Sequence, residues 1–581
     1  MRVIIPAFLC FATLSCAQYT PGPDSKVQPN VPKGTVTRLV LPPGKFYPGT
    51  PHNYQIYVPA KYDAAKPTPY MIFLDGSGPT VVLDNLIAKG DIPPIIGIYV
   101  APGVLDPLSG DAMGRYNRIF EYDNISSRFS SFLEEELIPE VAKKYNLSKN
   151  PDDHAIAGTS TGGVGAFVAA WERPDLFHRV LTWIGTFVDM KGADSLPAMI
   201  RRTEPKPLRV WLQDGKNDHL APGQSYGVFY AGSWPINNEL MYEALQFGGY
   251  DVKLTIGEGG HDGNQSAALM PDAIRWIWRD YPAPIVVKPP AALDQKGWEP
   301  RGQVYSVILP GKGWEQVGGP YQSVSSPTVD KEGNVFFCGS VASRIYKSDA
   351  EGKVTVFREK TGGATVIRFG SDGRLFAAGN RRIVAWPPTG AEQVIATQVT
   401  ATDMAVTAKG DLYFINAADG SIGVVASNGQ HRRIALPAGT IAKPTTLTFS
   451  PDQSLVDIGD ASNRFNWSFQ VAADGALVNG EPFYRVDIPE TATGSGTSGA
   501  TVDSIGQAYW ATSLGIQYCE QNGRCAAILA KPERGTLGAI AFGGKDLNWL
   551  YAVEGDKLWR RETKSKGVAA WSPVKPPRPP L

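Results

Sequence analysis

The sequence predicts two folded parts: an α/β domain with a mostly parallel sheet and helices on both faces, followed by an all-β six-bladed propeller. Three observations support this prediction. The chain has 581 residues, more than one ordinary domain contains. Residues 35–285 alternate between strand-like and helix-like patterns. Residues 301–570 read as strands and turns throughout, beyond a Pro-rich linker at 286–300.

In the first part, short apolar runs that end at turn residues predict strands. They are YMIFLDG (70–76), IIGIYVAPG (95–103), HAIAGTS (154–160), LRVWLQDG (208–215) and DVKLTIGEGG (251–260). Helical spacing occurs between them, as in SSRFSSFLEEELIPEVAKKY, where apolar residues return every three or four positions. Such alternation is typical of a sheet covered by helices.

In the second part, a turn followed by a short hydrophobic strand recurs six times. The copies are DKEGNVFF (from 330), SDGRLFAA (371), AKGDLYFI (408), SPDQSLVDI (450), DSIGQAYWA (503) and GGKDLNWLYAV (543). A period near 40 residues with several strands per repeat indicates a β-propeller, and six copies indicate six blades.

The two ends of the chain have compositions of their own. Residues 1–17 hold Arg2, an apolar run and small residues, which predicts a signal peptide cleaved after Ala17. Acylation of Cys16 as a lipoprotein is the alternative. A polar, Pro-rich leader (18–34) follows, and a Pro-rich tail occupies 571–581. We therefore expect an exported protein, periplasmic or extracellular, with no membrane span.

The overall charge excludes one class of partner. Lys plus Arg and Asp plus Glu both number 56, so the formal net charge is zero. A nucleic-acid-binding protein usually carries a basic excess, and we expect no such partner here.

The stretch AIAGTSTGG (155–163) places Ser160 in a G-x-S-x-G pattern between a predicted strand and a predicted helix. This is the setting of the nucleophile in an α/β-hydrolase, where an acid and then a His follow along the chain. Asp218 and His261 stand at those places, each after a later strand. Asp214 is the competing acid, and Asp262 is a weaker one because it adjoins the His.

Each of these residue types has a chemical task in acyl transfer. His261 would accept the proton of Ser160, and Asp218 would orient the imidazole. The backbone N–H of Thr161 is one expected oxyanion donor, and the LDGSG loop offers Gly76 or Ser77 as the second. A plain β-turn is the alternative for that loop.

On these motifs the first part resembles the enterochelin-esterase branch of a family that also includes relatives of feruloyl and acetylxylan esterases. The matching blocks are FLDGSG, NRIFEYDNISSRFSSFLEEELIPEV, AIAGTSTGG, GKND and GGHD. The resemblance implies a serine esterase. The family's R-x-x-E-Y corresponds to Arg118, Glu121 and Tyr122; Arg118 could contact substrate or form an ion pair with Glu121.

The second part resembles the gluconolactonase and regucalcin propellers, which hold a divalent metal at the axis. At the positions of that family's Glu, two Asn and Asp ligands this sequence has Ser325, Thr402, Thr445 and Ser498. A hard cation needs oxygen ligands such as carboxylates and amides, and neutral hydroxyls are poor replacements for them. We therefore expect no metal and no cofactor, and a propeller that acts as a scaffold or binding module.

Three cysteines remain after the predicted cleavage. Cys519 and Cys525 flank a three-residue loop in IQYCEQNGRCAAIL, and a cross-strand disulfide there is the favoured interpretation in an exported protein. Cys338 is expected to be a small buried hydrophobe.

The resulting hypothesis is an exported serine esterase acting on a small-molecule or polysaccharide ester, of the siderophore, feruloyl or acetyl type. A metal-dependent sugar lactonase and a non-catalytic binding protein are the alternatives. A peptidase of the prolyl-oligopeptidase kind is disfavoured, because there the propeller precedes the catalytic domain.

Overall fold

The computed structural model describes residues 19–218, 232–289, 304–436 and 439–579. It contains two compact units, one of residues 1–201 with 205–290 and the other of 202–204 with 291–581. The expected signal peptide, Cys16 and most of the expected 286–300 linker lie outside the described residues. Among the described helices, none is both long enough and apolar enough to cross a bilayer.

The first unit is built on a mixed eight-stranded sheet in the order β1-β2-β4-β3-β7-β8-β9-β10. Strands β3, β4 and β7 to β10 run parallel, while β1 and β2 are antiparallel additions at one edge. The bounds are β1 Thr35–Leu41, β2 His52–Val58, β3 Tyr70–Leu74, β4 Ile96–Val100, β7 His154–Thr159, β8 Arg179–Trp183, β9 Arg209–Gly215 and β10 Asp251–Gly257. A short hairpin, β5 Val104–Leu105 and β6 Arg115–Tyr116, follows β4.

Helices cover both faces of this sheet. Alternate residues of the central strands enter two apolar clusters: Ile72 and Leu74 pack with α5, whereas Met71 and Phe73 pack with α1 and α8. The bounds are α1 Thr80–Lys89, α2 Arg118–Tyr122, α3 Arg128–Phe132, α4 Ile138–Ala142, α5 Thr161–Glu172, α6 Leu196–Arg202, α7 Trp234–Phe247 and α8 Gly263–Trp278. One π-helical turn, Leu133–Leu137, joins α3 to α4.

The five strands expected from the sequence are β3, β4, β7, β9 and β10. Sequence reasoning missed β1, β2 and β8. Strand β1 lies at the sheet edge with most of its residues exposed, so it lacks the buried run that marks its neighbours. The expected fold, a largely parallel sheet with helices on both faces, is confirmed, with the antiparallel pair as an addition.

The second unit consists of six four-stranded antiparallel sheets, which confirms the six-bladed propeller. The blades are β12 Ser325–Val329 to β15 Val354–Glu359, β16 Val366–Phe369 to β19 Gln393–Thr397, β20 Ala401–Val406 to β23 His431–Ile434, β24 Pro444–Phe449 to β27 Leu477–Arg485, β28 Gly499–Val502 to β31 Cys525–Leu529, and β32 Leu537–Gly543 to β34 Lys557–Glu562. Strand β11 Glu315–Gln316 pairs with β34 as the fourth strand of the last blade.

Each predicted repeat lies at the second strand of a blade, and its turn explains the recurring glycine. In five blades a glycine of this turn has positive φ, between 80° and 90°. The fourth blade has Gln453 there instead, at φ 58°. This substitution is one reason why the repeat is irregular in sequence.

Candidate active site

Ser160 lies on a sharp turn between the end of β7 and the start of α5. Its backbone has φ 60° and ψ −126°, a strained conformation for a residue with a side chain. The Ser160 N–H donates to Trp183 O at 2.8 Å and so ties the turn to β8. A Cβ on Gly158 would come within 1.9 Å of Gly162 O, so this position requires glycine.

His261 connects Ser160 to a buried carboxylate. Its Nε2 lies 2.9 Å from Ser160 Oγ, and its Nδ1 lies 2.8 Å from Asp218 Oδ2. Asp218 is fully buried, while the His261 side chain is 25 % exposed. The Trp234 ring packs edge-on against the imidazole with 6.1 Å between ring centroids. The structure thus brings together the three residues that the sequence places in the order Ser, acid, His.

The acid and His loops are fastened to each other by their backbones. Asn217 N donates to Gly259 O at 3.0 Å, and Lys216 N donates to Gly257 O at 2.8 Å. Because β9 and β10 are parallel neighbours, both loops leave the same edge of the sheet. This pairing fixes the distance between the carboxylate and the imidazole.

The two competing acids have other partners. Asp214 is fully buried; its Oδ1 accepts from Gly215 N at 2.7 Å, and its Oδ2 accepts from Asn238 Nδ2 at 2.9 Å. Burial and the adjacent Asp218 carboxylate raise the pKa of Asp214 well above its usual range. Asp262 instead caps α8 through Asn264 N, at 2.9 Å.

The two loops expected to supply oxyanion donors are both present. Thr161 is the first residue of α5, where the helix itself offers no acceptor to the backbone N–H. After β3, Asp75 and Gly76 have positive φ of 65° and 72°. The Gly76 N–H donates to Val100 O at 2.9 Å, so it is already engaged. Of the two candidates for the second oxyanion donor, Ser77 is therefore the one that we now expect.

Arg118 connects these two loops. Its Nε and Nη2 donate to the two carboxylate oxygens of Asp75 at 2.7 and 3.0 Å, and Nη2 also donates to Thr159 O at 3.0 Å. The alternative pairing of Arg118 with Glu121 is wrong: Glu121 is buried and accepts from Gly103 N and His52 Nε2. Arg118 instead holds the loop after β3 against the end of β7, next to Ser160.

Sequence reasoning missed Asp75, Asn238 and Trp234 around this site. Asp75 stands inside the LDGSG motif, so a signal was available, although the motif gave no indication of its partner. Asn238 and Trp234 lie on α7, which begins 16 residues after Asp218, and no local pattern connects them to the site.

The four propeller positions compared with metal ligands lie at or beside the starts of innermost strands. Three of the hydroxyls donate to a carbonyl of the next blade: Ser325 to Thr365 O at 2.8 Å, Thr445 to Thr497 O at 2.6 Å and Ser498 to Leu537 O at 2.7 Å. Thr402 is exposed. Within the described ranges, no cluster of three or more His, Cys, Asp or Glu side chains suits a metal ion.

The cysteines of the propeller occupy two different settings. Cys519 at the end of β30 (Ile516–Cys519) and Cys525 at the start of β31 are cross-strand partners and form a disulfide, with Gly523 at φ 82° in the loop between them. Cys338 is a buried free thiol whose pKa is raised to about 12 by burial, so it is inert at neutral pH.

In comparisons with known proteins, a different family model matches part of each unit. Residues 47–226 match the family model described as "Putative esterase", and residues 325–554 match the model described as "SMP-30/Gluconolactonase/LRE-like region". The expected combination of an enterochelin-esterase-like part and a gluconolactonase-like propeller is confirmed.

Two curated relatives and one solved structure are similar to parts of this chain. An iron(III) enterobactin esterase of Dickeya dadantii is 25% identical over 243 residues, covering 38% of this chain and 50% of that protein. An endo-1,4-beta-xylanase/feruloyl esterase of Xylanibacter ruminicola is 29% identical over 129 residues, covering 22% and 15%. A regucalcin structure from Agrobacterium tumefaciens is 17% identical with a TM-score of 0.38, covering 46% of this chain and 97% of that one. The chain spans half or less of the curated relatives it matches.

Proposed function

We propose that this protein is a carboxylic ester hydrolase that uses Ser160, His261 and Asp218 as a catalytic triad. The observation that carries the proposal is the imidazole of His261, which contacts both Ser160 Oγ and Asp218 Oδ2 at hydrogen-bond distance. The strained turn at Ser160 and the esterase family match support it.

In this proposal each residue has one task. Ser160 Oγ attacks the ester carbonyl while His261 Nε2 takes its proton, and the same nitrogen then protonates the departing alcohol. In the second half of the reaction His261 takes a proton from a water, which attacks the acyl-enzyme, and then returns that proton to Ser160 Oγ. Asp218 keeps the Nδ1 proton of the imidazole in place, and the N–H groups of Thr161 and Ser77 stabilise the oxyanion.

The substrate class follows from chemistry and from the relatives together. The names of the two curated relatives include the words enterobactin esterase and feruloyl esterase, and both describe hydrolysis of carboxylic esters. We infer that a siderophore-type, feruloyl or acetyl ester is hydrolysed outside the cytoplasm, after export directed by residues 1–17. A hydrolysis screen over these three classes, with wild type and Ser160→Ala, tests the inference.

The propeller is proposed to be a metal-free scaffold or binding module. At the positions compared with metal ligands, the hydroxyls of Ser325, Thr445 and Ser498 each donate a hydrogen bond to a carbonyl of the next blade. A sugar lactonase acting through the propeller is the alternative, and only the propeller's family match favours it.

Exhaustive chelation should leave ester hydrolysis intact and hardly change the melting temperature. The triad needs no metal, and a metal bound only to the native state would contribute about 2.7 kcal/mol at a hundredfold excess over Kd. The measurement is a thermal scan and an ester assay before and after chelator treatment. Stoichiometric Ca²⁺ or Zn²⁺ in the purified protein, with lactone hydrolysis that survives Ser160→Ala, would instead favour the lactonase.

Replacing Arg118 by Lys should lower kcat more than it raises KM. An ammonium group cannot reproduce the two-pronged contact with Asp75, so the loop that carries Ser77 loses its support. We expect a loss of about 10-fold to 100-fold, comparable to weakening one oxyanion donor. A change confined to KM would instead show that Arg118 contacts substrate. Arg38→Lys, at an exposed arginine of β1, is the control.

A further inference from the structure

A cationic pocket lies beside α2 in the first unit. It encloses about 340 Å³ and is lined by Tyr47, Pro48, Arg115, Asn117, Phe120 and Arg128. No acidic residue is among these lining residues. The pocket is separate from the contacts of the triad described above.

The two arginines of this pocket have uncharged hydrogen-bond partners. Arg128 donates from Nε and Nη2 to Phe46 O, and its guanidinium lies over the rings of both Tyr47 and Phe120, 4.9 and 4.8 Å from their centroids. Arg115 Nε donates to Asn117 Oδ1 at 3.2 Å. Within the described ranges neither forms a salt bridge, whereas Arg118, Arg173, Arg209 and Arg275 all do.

Two acidic residues in neighbouring segments have other partners. Glu121 is fully buried and accepts from His52 Nε2 at 3.0 Å and Gly103 N at 3.1 Å. Glu136 Oε1 accepts from Lys45 N at 2.7 Å. The lining residues thus place two guanidinium groups at the pocket and no carboxylate.

The sheet topology places this pocket at the same edge as Ser160. Parallel strands β4 and β7 end at one edge, and antiparallel β2 begins there. Tyr47 and Pro48 precede β2, Arg115 and Asn117 follow β4, and Ser160 follows β7. Strands β4 and β2 lie two and three positions from β7, which at about 4.8 Å per strand is roughly 10–15 Å.

We propose that this pocket binds a carboxylate group carried by the ester substrate, at roughly 10–15 Å from the scissile ester. The inference rests on the proposed ester hydrolysis and specifies its substrate class: esters with a distal acidic group. Planar guanidinium groups suit the two oxygens of a carboxylate, and Phe120 and Pro48 supply an apolar wall beside it. Arg115 and Arg128 would then determine specificity without taking part in the chemistry.

A chain-length series of esters tests the proposal. Mono(4-nitrophenyl) esters of straight-chain dicarboxylic acids are compared with the same compounds capped as methyl esters. At the chain length that spans the gap, wild type should prefer the free acid by at least about tenfold in kcat/KM, as expected for hydrogen bonds to a charged group. Arg115→Gln and Arg128→Gln should lose this preference through KM and keep wild-type rates on the capped esters.

Controls separate this proposal from the esterase itself. Arg38→Gln removes an exposed arginine of β1 and should keep the preference. Arg115 is exposed, so Arg115→Gln remains informative if Arg128→Gln fails to fold. Equal rates on acid and capped esters at every length would overturn the pocket and leave the esterase standing, whereas no hydrolysis of any ester would refute the esterase. Calorimetric titration of Ser160→Ala with decanedioate gives an independent result: binding that Arg115→Gln does not weaken also overturns the pocket.

Discussion

Replacing Ser160 or His261 by Ala lowers kcat for a short-chain aryl ester by at least about 10³-fold, the size of effect found when a triad member is removed. Without Ser160 Oγ the acyl-enzyme cannot form. Without His261, Ser160 loses the base that lies 2.9 Å from its Oγ and accepts the hydroxyl proton. Because the triad acts as a unit, we expect the double variant to be about as slow as either single one.

The control for this experiment is Ser427→Ala, which removes an exposed serine of the propeller. It should keep wild-type kcat, and circular dichroism should show that all the variants are folded. Near-wild-type turnover in Ser160→Ala would move the chemistry to another residue.

Replacing Asp218 by Asn should impair turnover far more than replacing Asp214 by Asn. At position 218 the amide would present a donor to His261 Nδ1 or fix the wrong tautomer, and a loss of up to about 10⁴-fold is expected. Burial and the neighbouring Asp218 carboxylate raise the pKa of Asp214 and so favour its uncharged form, and an amide of the same shape should therefore disturb Asp218 little. We expect a loss of less than about tenfold in kcat at this position.

Asp218→Asn and Asp214→Asn should also differ in thermal stability. In Asp214→Asn, one of the contacts with Gly215 N and Asn238 Nδ2 loses its acceptor, at a cost of about 1–3 kcal/mol for a buried group left unpaired. A lowered melting temperature with largely retained kcat is therefore expected. The opposite ranking, with Asp214→Asn the slower enzyme, would assign the orienting role to Asp214.

Local sequence patterns were sufficient for five of the eight strands of the first sheet and for the candidate triad. Each of Ser160, Asp218 and His261 follows a predicted strand, and parallel strands end at a common edge, so chain order alone brings them together. The choice between Asp218 and Asp214 was harder, because the two stand four residues apart, Asp214 within β9 and Asp218 just after it. Both are fully buried, so the hydrogen-bond partners of each carboxylate decide the choice, and these cannot be read from the local sequence.

The contacts that sequence reasoning misjudged are long-range ones. Glu121 is three residues from Arg118, which is the spacing of a helical ion pair, yet Arg118 reaches Asp75, 43 residues earlier. Whether Gly76 or Ser77 has a free N–H depends on Val100, in the neighbouring strand. The Arg115 and Arg128 pocket likewise forms from segments that only the tertiary fold brings together.

Reaction with a fluorophosphonate tests the nucleophilic role of Ser160 most directly. The reagent modifies only an activated serine, and peptide mass spectrometry identifies the residue. We predict one label per chain, on Ser160, with ester hydrolysis lost in proportion to labelling and no labelling of Ser160→Ala or His261→Ala. Full hydrolysis by completely labelled protein, or a label on another serine that accounts for the loss of activity, would contradict this account.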